Sequence, residues 1–532
     1  MESVLVSRKL LWLVVLLGVV VRVEQYAANR SFWLDESFLA LNVIDRSMHR
    51  LLTAPLDFNQ TAPAGFLFVE KLATEVFDKG EYSLRAFPLV CGIVALVLYA
   101  RLARRVVGPA AAVIAVALFA FAGPLVYYSS ELKPYAGDVA ASIAISLMAL
   151  EMLDNRLCIR RAAAYGLLGF VLIQLTYAGI LAAAGTGAAL VAIFAVDARW
   201  DRLTSVIALV GTWAVGAVVF LLSHVGLERS YFTGGQGRFA PFPASKADVT
   251  WYLDRVREVV GDANLSQAKV PLALVSVLAV AGAVSLVVRN WPRFAVLAAP
   301  VIATVAASGA HRFPMLARTM LFFVPLLFLL VATGIVVLVR RVPAVVGVGA
   351  TVALVGFLLA QVSFGGVYDL THPYRRAEIK NSLTYVAQHW QAGDVLYIHY
   401  ASQYAFGYYS ECACFRLPGN RKPRSLWPVR RAVVRKASAQ FPRALISEGP
   451  SVIIGTRRPV FTEGPLPFYG RDASLIAQHR RAWILVAYYN TGRELDLIRH
   501  ELLGSLDRRG RRLAAVVRGG THLYLYEFPM RS

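Results

Sequence analysis

Apolar residues in this chain come in blocks rather than in alternation. Runs long enough to cover about 30 Å of hydrocarbon as a helix fall at 10–27, 86–103, 109–127, 135–153, 161–177, 179–196, 203–223, 271–288, 294–308, 319–338 and 342–363. Only helices and closed barrels satisfy their backbone inside a bilayer. Barrel strands alternate apolar and polar positions over about 10 residues, which these blocks do not do. The pattern predicts a mainly α membrane protein, a polytopic bundle of about eleven transmembrane helices. The first block follows Arg8 and Lys9, but no small-residue cleavage site comes after it, so it reads as an uncleaved helix.

The intervals between blocks give an orientation. With the N-terminus cytoplasmic, the inner loops are 101-RLARRVVG-108, 154-DNRLCIRR-161, 197-DARWDR-202, 289-RNWPR-293 and 340-RRVP-343, each holding two or three arginines. This is the charge bias that sets membrane topology. It predicts an inner (cytoplasmic) membrane protein whose segments around 28–85, 128–134, 224–270 and 309–318 lie outside. After about residue 365 the apolar runs become too short to span. An amphipathic helix is expected at 375–390, with Ile379, Leu383, Val386 and Trp390 on one face. Strand-like runs follow at 395–400, 451–455, 483–489 and 521–528, with a helix at 495–503. Two domains are therefore expected: a membrane domain over 1–365, with its first outer loop at 28–85, and an extracytoplasmic α/β domain over 366–532.

Composition agrees with the blocks: 57% of the 532 residues are hydrophobic and 17% charged. The net charge of +22 is explained by inner loops and by a tail near anionic lipid or a phosphorylated substrate. No recognition motif accompanies it, and nucleic acid is not an expected partner. Of the four cysteines, Cys91 and Cys158 read as small core residues. Cys412 and Cys414 are too close for a relaxed disulfide. No cluster has metal-ligand spacing, so neither a metal nor a cofactor is expected.

Polar residues assigned to the outer side gather in three places. The first loop holds Asp35 and Glu36, then 57-DFNQTAPAGF-66 with Asn59, then Glu70 and Lys71, and Arg85 at the entry to the next span. A helix after Asp35 is expected to lie along the interface, with Leu34, Phe38, Leu41 and Met48 toward lipid and Asp35, Asn42 and His49 away from it. The second place is 127-YYSSELKPYAGDVA-140, which contains Glu131, Lys133, Tyr135 and Asp138. An aromatic belt explains its tyrosines, and a helix start suits Asp138. A lysine at headgroup depth suits a phosphate. The third is 311-HRFPMLARTMLFFVP-325, where Arg312 and Arg318 run against the usual charge bias. Snorkelling accounts for one of them.

Together these stretches resemble the GT-C class of membrane glycosyltransferases, in the branch of protein O-mannosyltransferases and aminoarabinose transferase. The matching elements are Leu34-Asp35-Glu36 after the first helix, 82-YSLRAFPLVCGIVALVLYARLARRVVG-108, 128-YSSELKPY-135, and Arg318 before a helix with Pro325. The tail stretch 393-GDVLYIHYASQYAFGYY-409 is similar to the outer domain of some members. The chain departs from the class at 59-NQTAP-63, where many members have a histidine or a second proline, and at Lys133, where many have arginine. The resemblance implies a polyprenyl-phosphate-linked sugar donor, inversion at the anomeric carbon, and a glycan, glycolipid or protein acceptor. It implies Asp35 as general base with Glu36 beside it. Lys133 and Arg318, with Arg85 second, would contact the phosphate, and Tyr135, Glu131 and Asn59 complete the substrate set.

Two other classes compete. A lipid or glycan transporter or flippase places ionisable residues in the middle of its spans, whereas here they sit at helix ends. A non-catalytic envelope-assembly protein would depend on the tail and not on Asp35. Within the enzyme class, ligation of a preassembled oligosaccharide is not separated from single-sugar transfer.

Overall fold

A computed structural model describes residues 2–155, 158–197, 202–224, 239–262, 272–340, 343, 349, 352–358, 360, 377–411, 452–455, 467–488 and 492–529. The chain is a helical membrane protein with a small C-terminal sheet. Seven of the described helices are long and apolar enough to cross a membrane: Arg8–Ala27, Glu81–Val106, Tyr135–Asp154, Tyr177–Val196, Thr204–Ser223, Leu272–Gly309 and Ala317–Val339. Leu272–Gly309 carries two of the expected spans, joined where Asn290 leaves helical geometry (φ −161°, ψ 79°). The expected spans at 109–127 and 161–177 form shorter helices, Pro109–Phe121 and Ile159–Leu175. The expected span at 342–363 lies largely outside the described residues, as do Cys412 and Cys414.

The chain divides into two compact units. One comprises Met1–Ala28, Met48–Glu70 and Arg85–Pro373; the other comprises Asn29–Ser47, Lys71–Leu84 and Tyr374–Ser532. The second unit thus includes the tail and two stretches of the interval between the first two spans.

In the first unit, close packing depends on small residues, as expected where lipid offers no hydrophobic gain from helix association. A Cβ at Gly282 would lie 1.9 Å from the Leu330 carbonyl oxygen, and one at Gly334 would lie 2.0 Å from that of Leu278. Helices Leu272–Gly309 and Val324–Val339 therefore approach through reciprocal glycines, and any side chain there would part them. A buried arginine in the first span has a structural role. The Arg22 guanidinium donates to the carbonyls of Gly18, Ala120 and Phe119, and the last two are orphan acceptors at the end of the Pro109–Phe121 helix.

In the second unit, five strands form one sheet: β1 Asp394–Ile398, β2 Val452–Ile454, β3 Arg481–Val486, β4 Arg511–Arg518 and β5 Thr521–Glu527. Their order is β2-β1-β3-β5-β4, with β1 parallel to both β2 and β3, and β5 antiparallel to β3 and β4. β1 is buried at every position, as a parallel strand covered on both faces must be. Strand β4, which the hydrophobic pattern did not announce, is an exposed edge. It joins β5 through Gly519 and Gly520, both at positive φ, the geometry of a two-residue hairpin turn. The amphipathic helix expected at 375–390 is Ile379–Gln388, with Ile379, Leu383 and Val386 buried.

Candidate functional site

The sequence-assigned residues fall in both units, and each unit is described separately. In the first unit, Lys133 lies in the turn before helix Tyr135–Asp154 and is buried. Its Nζ donates to Gln60 Oε1 at 2.7 Å. Gln60 follows a tight turn, Asp57–Asn59, in which Phe58 (φ 63°) and Asn59 (φ 54°) both occupy the left-handed region. That conformation is strained for a phenylalanine, and it brings the side chain after Asn59 to the lysine. The turn continues to Thr61, whose Oγ1 accepts from the Tyr177 hydroxyl at 3.0 Å. Arg318 lies in the 3-10 turn Ala317–Phe323 at the start of its span, with its guanidinium carbon 5.9 Å from the Tyr135 ring centroid. Tyr135 meets Tyr128 edge to face, with ring centroids 5.1 Å apart. The structure therefore brings Lys133, Tyr135, Arg318 and the Asn59 turn into one polar, aromatic-lined region. Glu131 is fully buried two residues before Lys133, and Arg85 is buried near the start of Glu81–Val106.

Asp138 has a different partner from the one a helix-dipole reading supplies. Its Oδ1 accepts from the backbone N–H of Ala178 at 2.9 Å, in the first turn of helix Tyr177–Val196. It satisfies an orphan donor of the neighbouring helix.

In the second unit, Asp35 and Glu36 occupy the first turn of helix Leu34–Asp45, where the positive end of the dipole favours acids. Their environments differ. Glu36 is fully buried, and its Oε2 accepts from Arg30 Nη1 at 3.0 Å and from the Trp33 backbone N–H at 2.9 Å. The second bond reaches back to the residue preceding the helix, the acidic half of a capping box. Asp35 is only partly buried. The interfacial reading of this helix needs correction. The helix ends at Asp45, Met48 begins the separate helix Met48–Thr53, and Asn42, assigned to a polar face, is buried together with Leu41.

Sequence reasoning missed three participants. Arg30, one short turn before the acid pair, neutralises Glu36; its signal was an arginine just beyond the first apolar span. Gln60 was quoted in a loop but given no role. The third is the set of tail residues packed on Asn29–Asp45, taken up below. The signal for that set was the tyrosine-rich run ending at 409, whose partners lie hundreds of residues away.

No protein-family model matches the chain, and no curated protein sequence does. Among solved structures, it is similar to ArnT from Cupriavidus metallidurans in the apo state, with 14% identity over 96% of this chain and 97% of that one and a TM-score of 0.46. The same protein bound to undecaprenyl phosphate gives 14% identity, the same coverage and a TM-score of 0.47. The Archaeoglobus fulgidus oligosaccharyltransferase AglB, in complex with an inhibitory peptide and a dolichol-phosphate, gives 12% identity over 97% of this chain and 74% of that one, with a TM-score of 0.44. Both are GT-C membrane glycosyltransferases.

Proposed function

We propose that this protein is an inverting membrane glycosyltransferase that moves a sugar from a polyprenyl-phosphate donor to an acceptor hydroxyl on the outer face of the membrane. The acceptor is a glycan, a glycolipid or a protein. The observation that carries the reading is the gathering of Lys133 and Arg318 around Tyr135 at the ends of apolar helices. Two cations held at that depth by an amide and an aromatic face suit a lipid-borne phosphate.

In this reading the acceptor oxygen attacks the anomeric carbon and the bond from that carbon to the phosphate oxygen breaks. The electron pair leaves with the lipid phosphate, and the hydroxyl proton passes to a carboxylate. Lys133 and Arg318 stabilise the charge developing on the phosphate. Asp35 takes the proton, a role for which it must keep an accessible carboxylate. Glu36 is given no part as base in this reading, because its Oε2 accepts from Arg30 and the Trp33 N–H. Arg85, Glu131 and Asn59 remain secondary assignments in the same donor region.

The test is transfer from radiolabelled polyprenyl-phosphate sugars into membrane extract by the purified protein, with Asp35→Asn alongside. Transfer by the wild type that Asp35→Asn abolishes supports the reading. Undiminished transfer by the variant sinks the catalytic assignment, and absence of transfer from every such donor sinks the class.

A further inference from the structure

In an α/β sheet with parallel strands, ligands bind at the carboxyl ends of the strands, where the order reverses. Here that point lies between β1 and β3, because the chain leaves β1 to β2 on one side and returns to β3 on the other. Among the described residues, those following these two strands hold the chain's own segment around Phe32.

Tyr488, two residues beyond β3, donates its hydroxyl to the Phe32 carbonyl at 2.6 Å. Tyr409, in the helix that follows β1, accepts from the Phe32 N–H at 2.8 Å and donates to Glu81 Oε1 at 2.9 Å. Both backbone groups of Phe32 are thus bound by tail hydroxyls. The ring of Phe32 packs on Tyr408 with centroids 4.7 Å apart, and Trp33 meets Tyr488 edge to face at 5.3 Å. Lys380 joins the same assembly, its Nζ donating to the Asn29 carbonyl and to Glu81, each at 2.8 Å. Tyr488 adopts φ +61°. For a bulky residue that conformation is strained and persists only where the surroundings impose it.

We propose that the tail domain holds residues 29–38 at its ligand-binding edge as an intramolecular ligand, and that Tyr409 and Tyr488 are positioning residues that orient the Asp35 helix for transfer. This rests on the functional reading of Asp35 given above. Two neutral hydroxyls bind the turn that immediately precedes the helix, so their loss tilts Asp35 without touching substrate. Misplacement of a reacting group by about 1 Å is enough to slow a reaction about a hundredfold.

The experiment compares full-length wild type, Tyr409→Phe, Tyr488→Phe and the double variant in the transfer assay, with hydrogen exchange of the peptides covering 31–45. Phenylalanine keeps the ring packing, so the fold is retained, which thermal unfolding checks. The double variant is expected to lose between about tenfold and about a hundredfold in kcat, with donor KM within about twofold. Exchange is expected to be faster at 31–45. Unchanged exchange over 31–45 overturns the clamp. Faster exchange with unchanged kcat, where Asp35→Asn is inactive, overturns the positioning role. Full transfer by Asp35→Asn removes the functional reading itself and leaves exchange to judge the clamp alone.

Discussion

The two charged clusters, 34–36 in one unit and 131–138 in the other, look alike in sequence and differ in what their acids do. Each sets acids at the start of a helix. In the first, Glu36 closes onto its own helix start and onto Arg30. In the second, Asp138 reaches across to the start of another helix at Ala178. The cluster around 131–138 is further organised from outside, since Gln60 and Arg318 come to it from distant parts of the chain. Charged residues that crowd together in sequence therefore overstate the chemistry: helix termini in an apolar setting claim some of them first, because their exposed N–H groups have no water to turn to. The proposed chemistry rests on the other groups, Asp35 in one unit and Lys133 with Arg318 in the other.

The largest expected effects separate these remaining groups from their neighbours. Asp35→Asn is expected to lower kcat by about 10³-fold, the scale of a lost general base, with an unchanged unfolding temperature. Lys133→Met is expected to lower kcat by about 10²-fold, as loss of a charge-stabilising donor does. Glu36→Gln should break the comparison in the other direction, through stability. Its partner Arg30 is 2% exposed and would lose a buried ion pair, a change of about 3 kcal/mol. Chemical denaturation of the three variants in detergent, next to single-turnover rates, reads both quantities. Equal stability loss in Asp35→Asn and Glu36→Gln would erase the distinction drawn between them.

Much of the helical architecture was legible because span length is a property of short windows. The break at Asn290 was legible as well, since the polar run 289-RNWPR-293 separates two apolar blocks. In the tail, four strands were visible as apolar runs. β4 was not, because an exposed edge strand carries arginines at both ends and lacks a buried face; its one local signal was the Gly519-Gly520 turn. The candidate site was legible by residue and not by role. Asp35 and Glu36 are chemically similar neighbours in sequence, and what distinguishes them is a helix phase and an arginine whose burial no window reveals. The clamp on Phe32 depends on hydroxyls from residues 409 and 488, a long-range pairing without a periodic signature.

A smaller effect bears on the sheet that holds the acid loop. His399 follows β1, is fully buried, and its Nε2 lies 3.2 Å from the Tyr469 hydroxyl. Burial pushes its pKa down from the usual 6.5 to about 3. The unfolded chain takes up a proton below about pH 6.5 that the folded domain refuses until about pH 3, so stability falls as the medium is acidified through that window. Between pH 7 and pH 5 the loss is about 2 kcal/mol. His399→Asn should flatten that slope in a pH series of unfolding temperatures. A slope unchanged by the substitution would place the acid sensitivity elsewhere.

The smallest effect, with the opposite sign, belongs to the first unit. Both carboxyl oxygens of Glu70 are buried without a hydrogen-bond partner among the described residues, and desolvation raises its pKa well above the usual carboxylate range. The folded state therefore keeps a proton that the unfolded chain releases above about pH 4.5. Its contribution to stability is full below that value and declines as pH rises through the folded pKa. Glutamine has nearly the same shape and no proton to lose, so Glu70→Gln should stabilise the protein by about 1 kcal/mol at pH 8, with little change at pH 5. Glu36 supplies the contrast, because the same substitution there removes a paired carboxylate. A pair of melting curves at pH 5 and pH 8 for each variant decides the matter: destabilisation by Glu70→Gln at pH 8 would mean that this carboxyl is ionised and partnered, as Glu36 is.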